Sequence, residues 1–328
     1  MQTQTLGASG LSVTRLAYGC MPLGGSWDGK PLSGESGKAA FASLDTALQA
    51  GLTFFDHADI YCRGKSEQVF GEWLKAHRGL RAKIHVQSKC GIRIPDEPPG
   101  APLRYDFSRA YIIASAEGCL KRLGIEYLDV LLLHRPDALV EPEEVAQAFE
   151  ELHAAGKVRH FGVSNHSAAQ MELLRTCVTH PLVANQVEMN LIHTEMFDAG
   201  INWNLTGLSA SSAGDWTLEY CRREKITLQA WAPLANGLLS GREPRADDPR
   251  LERIKAAGAL VTKLAGEKGV PREAIVLAWL LRHPARIQPL IGTRQPERIR
   301  AACQADGVEL TREEWYALYQ AGRGKKLP

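Results

Sequence analysis

The sequence predicts a (β/α)₈ barrel, and three observations predict it. Eight short apolar, β-branched runs alternate with longer stretches of helical spacing. Nearly every run ends in a reactive or strongly hydrogen-bonding side chain. The glycine fingerprint of the competing open sheet is missing. Alternation of this kind makes a parallel sheet, because each strand is followed by a helical crossover. Closing that sheet brings the strand ends, with their polar groups, to one rim. An open doubly wound sheet would carry GxGxxG after its first strand, and Gly19 and Gly24-Gly25 do not have that spacing.

In chain order, residues 4–13 read as a hairpin turning at 8–10 and closing the barrel bottom. The strands fall at 16–20, 53–56, 84–89, 128–134, 160–164, 183–188, 227–231 and 287–291. Between them, 143–155 places Val145, Ala148, Phe149 and Leu152 on one helical stripe, with Pro142 at its start and Gly156 at its stop. Ser167 with Gln170, and Thr311 with Glu314, form capping boxes, the second opening an extra C-terminal helix through Tyr319. Pro271 opens a helix carrying Ile275, Ala278, Trp279, Leu280 and Leu281. Two stretches, 93–106 and 192–215, read as long rim loops, a length that is uncommon without a function. Residues 1–328 are expected to form a single domain, since barrels of this size often do.

Composition excludes several classes. Lys+Arg 39 against Asp+Glu 37 gives no basic patch for nucleic acid, and the basic residues at 323–326 read as a solvated tail. No run is long and apolar enough to cross a membrane, and the N-terminus lacks a signal-peptide core, so a cytoplasmic protein is expected. Seven scattered cysteines without a CxxC pair read as free thiols. The histidines lack metal spacing, so no metal is expected. No heptad shows, which leaves a monomer or weak homo-oligomer.

The rim groups suit one chemistry. Asp56 ends the second strand with Tyr61 five residues on; Lys89 ends the third and His134 the fourth. A buried lysine needs a partner, and Asp56 can be it. A phenol is a poor acid at neutral pH, but a neighbouring ammonium favours the phenolate. Tyr61 beside Lys89 therefore reads as a tuned proton donor, with His134 orienting a carbonyl oxygen. No side chain supplies hydride, so a nicotinamide is required. Ser164, Asn165 and Gln186 can hold its carboxamide, Trp231 its ring, and Arg294 and Arg298 its phosphates. Asp56–Lys89 as a mere structural ion pair, Trp231 as core, and Arg298 as a solvated helix residue, with Arg300 equally available, are the bland alternatives.

The motifs Phe55-Asp56-His57-Ala58-Asp59-Ile60-Tyr61, Ser88-Lys89-Cys90, Leu133-His134-Arg135-Pro136-Asp137, Gly162-Val163-Ser164-Asn165 and Asn185-Gln186-Val187-Glu188 resemble the aldo-keto reductase superfamily, most of all its bacterial members of unassigned carbonyl specificity. The resemblance runs from Thr5-Leu6-Gly7 to the final helix. It implies a (β/α)₈ barrel reducing a small carbonyl with NADPH, and a catalytic tetrad of Asp56, Tyr61, Lys89 and His134. It also implies cofactor contacts at Gly19, Cys20, Met21, Ala232, Pro233, Leu234, Gly237, Leu238, Ile291, Gly292 and Thr293. Trp231 stands where the family often has tyrosine or phenylalanine, and His57 where many members have threonine. Ala301-Ala302 replaces the usual acidic-Asn pair, so NADH remains open beside NADPH. Trp27 and Trp203 are expected to wall the substrate pocket with Tyr61 and His134. Two other functions stay in view: an NADPH-binding redox sensor or regulator of low activity, and a barrel lyase using Lys89 as a Schiff base.

Overall fold

The chain opens with an antiparallel hairpin, β1 (Thr3–Thr5) and β2 (Ser12–Thr14), in this computed structural model, which describes residues 1–202 and 216–328. Barrel strands β3 (Ala17–Gly19), β4 (Phe54–Asp56) and β5 (His85–Cys90) follow. A short ribbon, β6 (Ile92–Arg93) with β7 (Arg104–Tyr105), comes next. The barrel resumes with β8 (Leu128–Leu133), β9 (Val158–Ser164), β10 (Leu182–Glu188), β11 (Thr227–Trp231) and β12 (Gln288–Ile291). The eight strands pair in parallel in chain order, and β12 closes on β3. Helices α1 (Gly34–Gln49), α2 (Lys65–Ala76), α3 (Arg109–Leu123), α4 (Pro142–Ala154), α5 (Ala168–Arg175) and α6 (Glu195–Ile201) form the first part of the outer layer. Helices α7 (Thr217–Arg223), α8 (Leu251–Lys268), α9 (Arg272–Leu281), α10 (Pro296–Cys303) and α11 (Arg312–Arg323) form the rest. No described helix is long and apolar enough to cross a membrane.

Strand β8 shows why these runs are strands. Its six residues, Leu-Asp-Val-Leu-Leu-Leu, are all buried, as a parallel strand covered on both faces must be. The hairpin plugs the barrel bottom: Leu6 and Val13 join Phe54, Val130, Leu132 and Leu290 in one buried cluster. Gly7 makes that close approach possible. Its φ is +50°, and a Cβ there would lie 2.3 Å from the Val183 carbonyl oxygen. With the bottom closed, the opposite, C-terminal ends of the strands are the open end.

Three expectations are corrected. The stretch 93–106 is not a plain loop, because the β6–β7 ladder and an Arg93–Asp106 ion pair at 3.0 Å tie its ends together. In the stretch 192–215 the described part holds α6, whose Phe197 packs edge-on against Trp279 and Trp315, and 203–215 lie outside the described residues. The basic cluster at 323–326 is solvated only in part: Lys325 and Lys326 are exposed, but α11 continues to Arg323, which is 6% exposed and binds Asp198, Asn202 and the Lys326 carbonyl. The final helix is further fixed by Trp279 and Trp315, which stack and exchange indole N–H to carbonyl hydrogen bonds of 3.1 and 2.9 Å. All seven cysteines are free.

Candidate active site

The rim assembles from strand ends. Asp56 closes β4 and Lys89 lies one residue before the end of β5, while Tyr61 begins a 3₁₀ turn five residues after Asp56. That turn needs unusual backbone: Cys62 and Arg63 have φ of 49° and 58°. Non-glycine residues in this region are uncommon and costly, and they concentrate at functional sites. Gly24 serves the same turn, since a Cβ there would sit 2.5 Å from the Cys62 Cβ.

Lys89 is fully buried, and its ammonium donates three hydrogen bonds: to Asp56 Oδ2 at 2.7 Å, to the His57 carbonyl at 2.7 Å and to Tyr61 Oη at 2.9 Å. His57 thus contributes its main chain, while its ring packs against Phe70. Asp56 Oδ1 accepts from Gln87 at 2.6 Å and from Gln186 at 3.0 Å. His134 follows β8 and stands edge-on to Tyr61, with ring centroids 5.9 Å apart.

The charge states follow from this packing. Burial works against the Lys89 ammonium, but the charges of Asp56 and Tyr61 and its bonds to them outweigh it, and its pKa is raised. Burial pushes the Tyr61 phenol above its ordinary value, against the pull of the Lys89 ammonium. This differs from the expectation of a lowered phenol: Lys89 acts in the expected direction, but burial is the larger effect. His134 is held well below the usual histidine range by burial, then by the charges of Lys89 and Arg135, so its imidazole is neutral. Its Nδ1 is buried with no hydrogen-bond partner among the described residues. The rest of the ring borders the cleft, where a proton on Nε2 can face a ligand.

A cleft of about 620 Å³ opens above these groups, and Asp56, Tyr61 and His134 are among the residues that line it. Gly19, Met21, Ser164, Asn165, Gln186 and Trp231 border it near the tetrad. Ala232, Pro233, Leu234 and Gly237 form one wall, and Ile291, Gly292, Thr293 and Arg298 its far end. Besides Lys89, which is sealed beneath Tyr61, four expected residues lie outside the lining. Cys20 is fully buried with its thiol against the Tyr18 carbonyl, and Leu238 turns into a neighbouring recess beside Ile254. Arg294 has its Nη1 buried without a partner among the described residues. Trp27 is on an exposed segment where its carbonyl accepts from Arg63. Trp203 lies outside the described residues.

Much of the polar chemistry around the cleft is already engaged. Asn165 Nδ2 donates to the His134 carbonyl and to Ser164 Oγ, and its Oδ1 accepts from the Trp231 indole at 3.0 Å. Ser164 donates to the Gln186 carbonyl at 2.7 Å. Gln186 Nε2 donates to Asp56 and to Gln229. These residues therefore retain acceptor capacity, which matches the NH₂ end of a carboxamide. Sequence reasoning missed Arg242, Glu273 and Asn236 on the wall, which no strand-end rule reaches. It also missed Gln87 and Gln229. These had a signal, since each stands two residues before an identified rim residue, Lys89 and Trp231, and shares its strand face.

A family model described as the Aldo/keto reductase family matches residues 15–322. The "6-dehydroglucose reductase" of Agrobacterium fabrum is 34% identical over 320 residues, covering 97% of each chain. The "Oxidoreductase YdhF" of Escherichia coli is 34% identical, covering 89% of this chain and 90% of its own. Among solved structures, a glycerol dehydrogenase, AKR11B4, from Gluconobacter oxydans superposes with a TM-score of 0.79 at 27% identity, over 98% of this chain and 94% of that one.

Proposed function

The chain belongs to the aldo/keto reductase family, and from that premise we propose that it reduces an aldehyde or ketone to the alcohol with NADPH, Tyr61 giving the proton. The observation that carries this reading is the buried chain Asp56–Lys89–Tyr61, which ends on the cleft at the phenol.

The residues around the cleft fit a nicotinamide dinucleotide. Trp231 would carry the ring, the acceptors of Ser164, Asn165 and Gln186 its carboxamide, and Arg298 and Arg242 the phosphates at the far end. Arg298 has no ion pair among the described residues, so its guanidinium is available. When bound, the reduced cofactor supplies the hydride. Tyr61 and His134 border the same space, where a carbonyl oxygen would receive hydrogen bonds from both. His134 is neutral and so polarises that oxygen rather than protonating it. Tyr61 holds a proton at neutral pH and passes it to the oxygen as negative charge develops there. The phenolate left behind is stabilised by the ammonium 2.9 Å away. Asp56 keeps Lys89 charged throughout, which also removes the neutral amine that a Schiff-base reaction needs.

The name of the Agrobacterium relative points to an oxygen-rich aldehyde as the substrate class. Arg135 supports this: it lines the cleft next to His134, with no ion pair among the described residues and its guanidinium 5.7 Å from the Trp231 ring centroid. The test is NADPH oxidation over sugar-derived, alkyl and aromatic aldehydes, with Tyr61→Phe beside the parent protein. Turnover that disappears in the variant while NADPH still binds supports the reading. A variant with full turnover would remove Tyr61 as the acid, and bound NADPH with no turnover on any carbonyl would favour a sensor.

A further inference from the structure

Barrels of this kind are usually filled by layers of branched apolar side chains. Here the layer beneath the rim is made of carboxamides. Gln87, Gln229 and Gln288 are 0% exposed and Gln186 is 2% exposed. Gln87 and Gln186 donate upward to Asp56 Oδ1, at 2.6 and 3.0 Å, and across to Gln229 Oε1, at 2.9 and 3.1 Å. Gln229 donates to Gln87 Oε1 at 3.2 Å and to Gln288 Oε1 at 2.9 Å. Gln288 donates downward to the Thr14 carbonyl, at 2.7 Å, on the hairpin that plugs the barrel.

Both ends of this ladder are acceptors only, a carboxylate above and a main-chain carbonyl below. That sets the orientation of every carboxamide between them: turning Gln87 over would put its oxygen against Asp56. We propose that this glutamine ladder is a positioning device, in which Gln87 and Gln186, held by Gln229 below, fix the Asp56 carboxylate from the barrel floor and thereby aim Lys89 at Tyr61. The inference rests on the reading of Tyr61 as the acid. The geometry makes the link. Two neutral donors occupy Asp56 Oδ1, which leaves Oδ2 for Lys89. The ammonium has three N–H groups, and Asp56 and the His57 carbonyl take two, so these two fix where the third points. A displaced carboxylate would swing that third N–H off the phenol.

Gln87→Leu and Gln87→Glu test this together. Gln87→Leu has no donor at any pH. Its kcat should fall about tenfold or more with little change in the KM for NADPH, because one hydrogen bond to a buried charge is lost. Gln87→Glu has the same shape and is a donor only when protonated, and two adjoining carboxyl groups cannot both ionise easily. It should approach parent activity at acid pH and lose it as pH rises, at lower pH than the parent. The Tyr61 phenol, read as the ultraviolet titration of the parent minus that of Tyr61→Phe, should ionise at higher pH in Gln87→Leu. A glutamine with a merely structural role would lower the melting temperature alone. Parent-like kcat and phenol titration in Gln87→Leu would overturn the inference, as would a Gln87→Glu enzyme that shows no acid recovery. If Gln87→Leu does not fold, the pH profile of Gln87→Glu decides. The phenol titration reads the ladder without turnover, so it separates failure of this inference from failure of the catalytic reading.

Discussion

Replacing Lys89 with methionine removes the ammonium and keeps most of the side-chain volume. The cost can be worked from the contacts. With an effective dielectric of about 20, a unit charge 2.9 Å from the phenol oxygen is worth roughly 6 kcal/mol to a phenolate. Asp56 opposes it from at most about 5.6 Å, the two contacts laid end to end, by roughly 3 kcal/mol. With Asp56 replaced by asparagine as well, both contributions vanish. The net loss of roughly 3 kcal/mol corresponds to about two orders of magnitude in rate if the phenolate charge is fully developed in the transition state. Proton transfer there is partial, so kcat should fall between about tenfold and about a hundredfold. The KM for NADPH should change little, because Lys89 is sealed beneath Tyr61. Removing one member of a buried pair also costs roughly 3–5 kcal/mol of stability. Asp56→Asn/Lys89→Met restores neutrality and separates folding from chemistry. The assay is kcat for NADPH oxidation, with circular dichroism as the folding control. A folded Lys89→Met or double variant within about threefold of parent turnover would refute the electrostatic argument.

Other outcomes follow from the same charges. Reduction needs the protonated phenol, so its rate should hold with rising pH and fall only as pH passes through the raised Tyr61 pKa, while alcohol oxidation should climb over that range. Because His134 is neutral well below the usual histidine range, kcat should show no step near pH 6.5; such a step, lost in His134→Gln, would make the imidazole the acid. Arg298→Ala should raise the Kd for NADPH more than that for NADH in fluorescence titrations, and equal losses would move the 2′-phosphate contact to Arg242, also on the wall, or to Arg294.

The strands are legible because burial on both faces leaves a near-continuous apolar run, broken in β8 only by Asp129. The tetrad is legible because polar side chains at strand ends have no packing reason to be there. What the sequence hides is contact across the barrel. Gln229 meets Gln87 from 142 residues away, and nothing local to either announces the pairing. Arg323 is hidden in the same way. Its neighbours Lys325 and Lys326 suggest a solvated tail, and only the packing of α11 against the end of α6 shows a buried guanidinium bound to Asp198 and Asn202. The ribbon β6–β7 escapes because its strands are two residues each and lie among prolines and glycines.

The acid itself shows where residue identity stops being sufficient. Lys89 beside Tyr61 tells the sign of one effect on the phenol, a lowering. It does not tell the sign of the sum, because the opposing effect is burial, which no pair of residues carries. With the sum known, the role of Lys89 changes. The resting phenol is not made acidic; it is kept protonated, and the ammonium acts mainly after the proton leaves, on the phenolate. Such a group helps only if it is already aimed when the charge appears, since an ammonium that has to turn toward the phenolate forfeits part of its stabilisation. A fully buried lysine with all three N–H groups engaged, held by a carboxylate that is itself held from the barrel floor, meets that requirement.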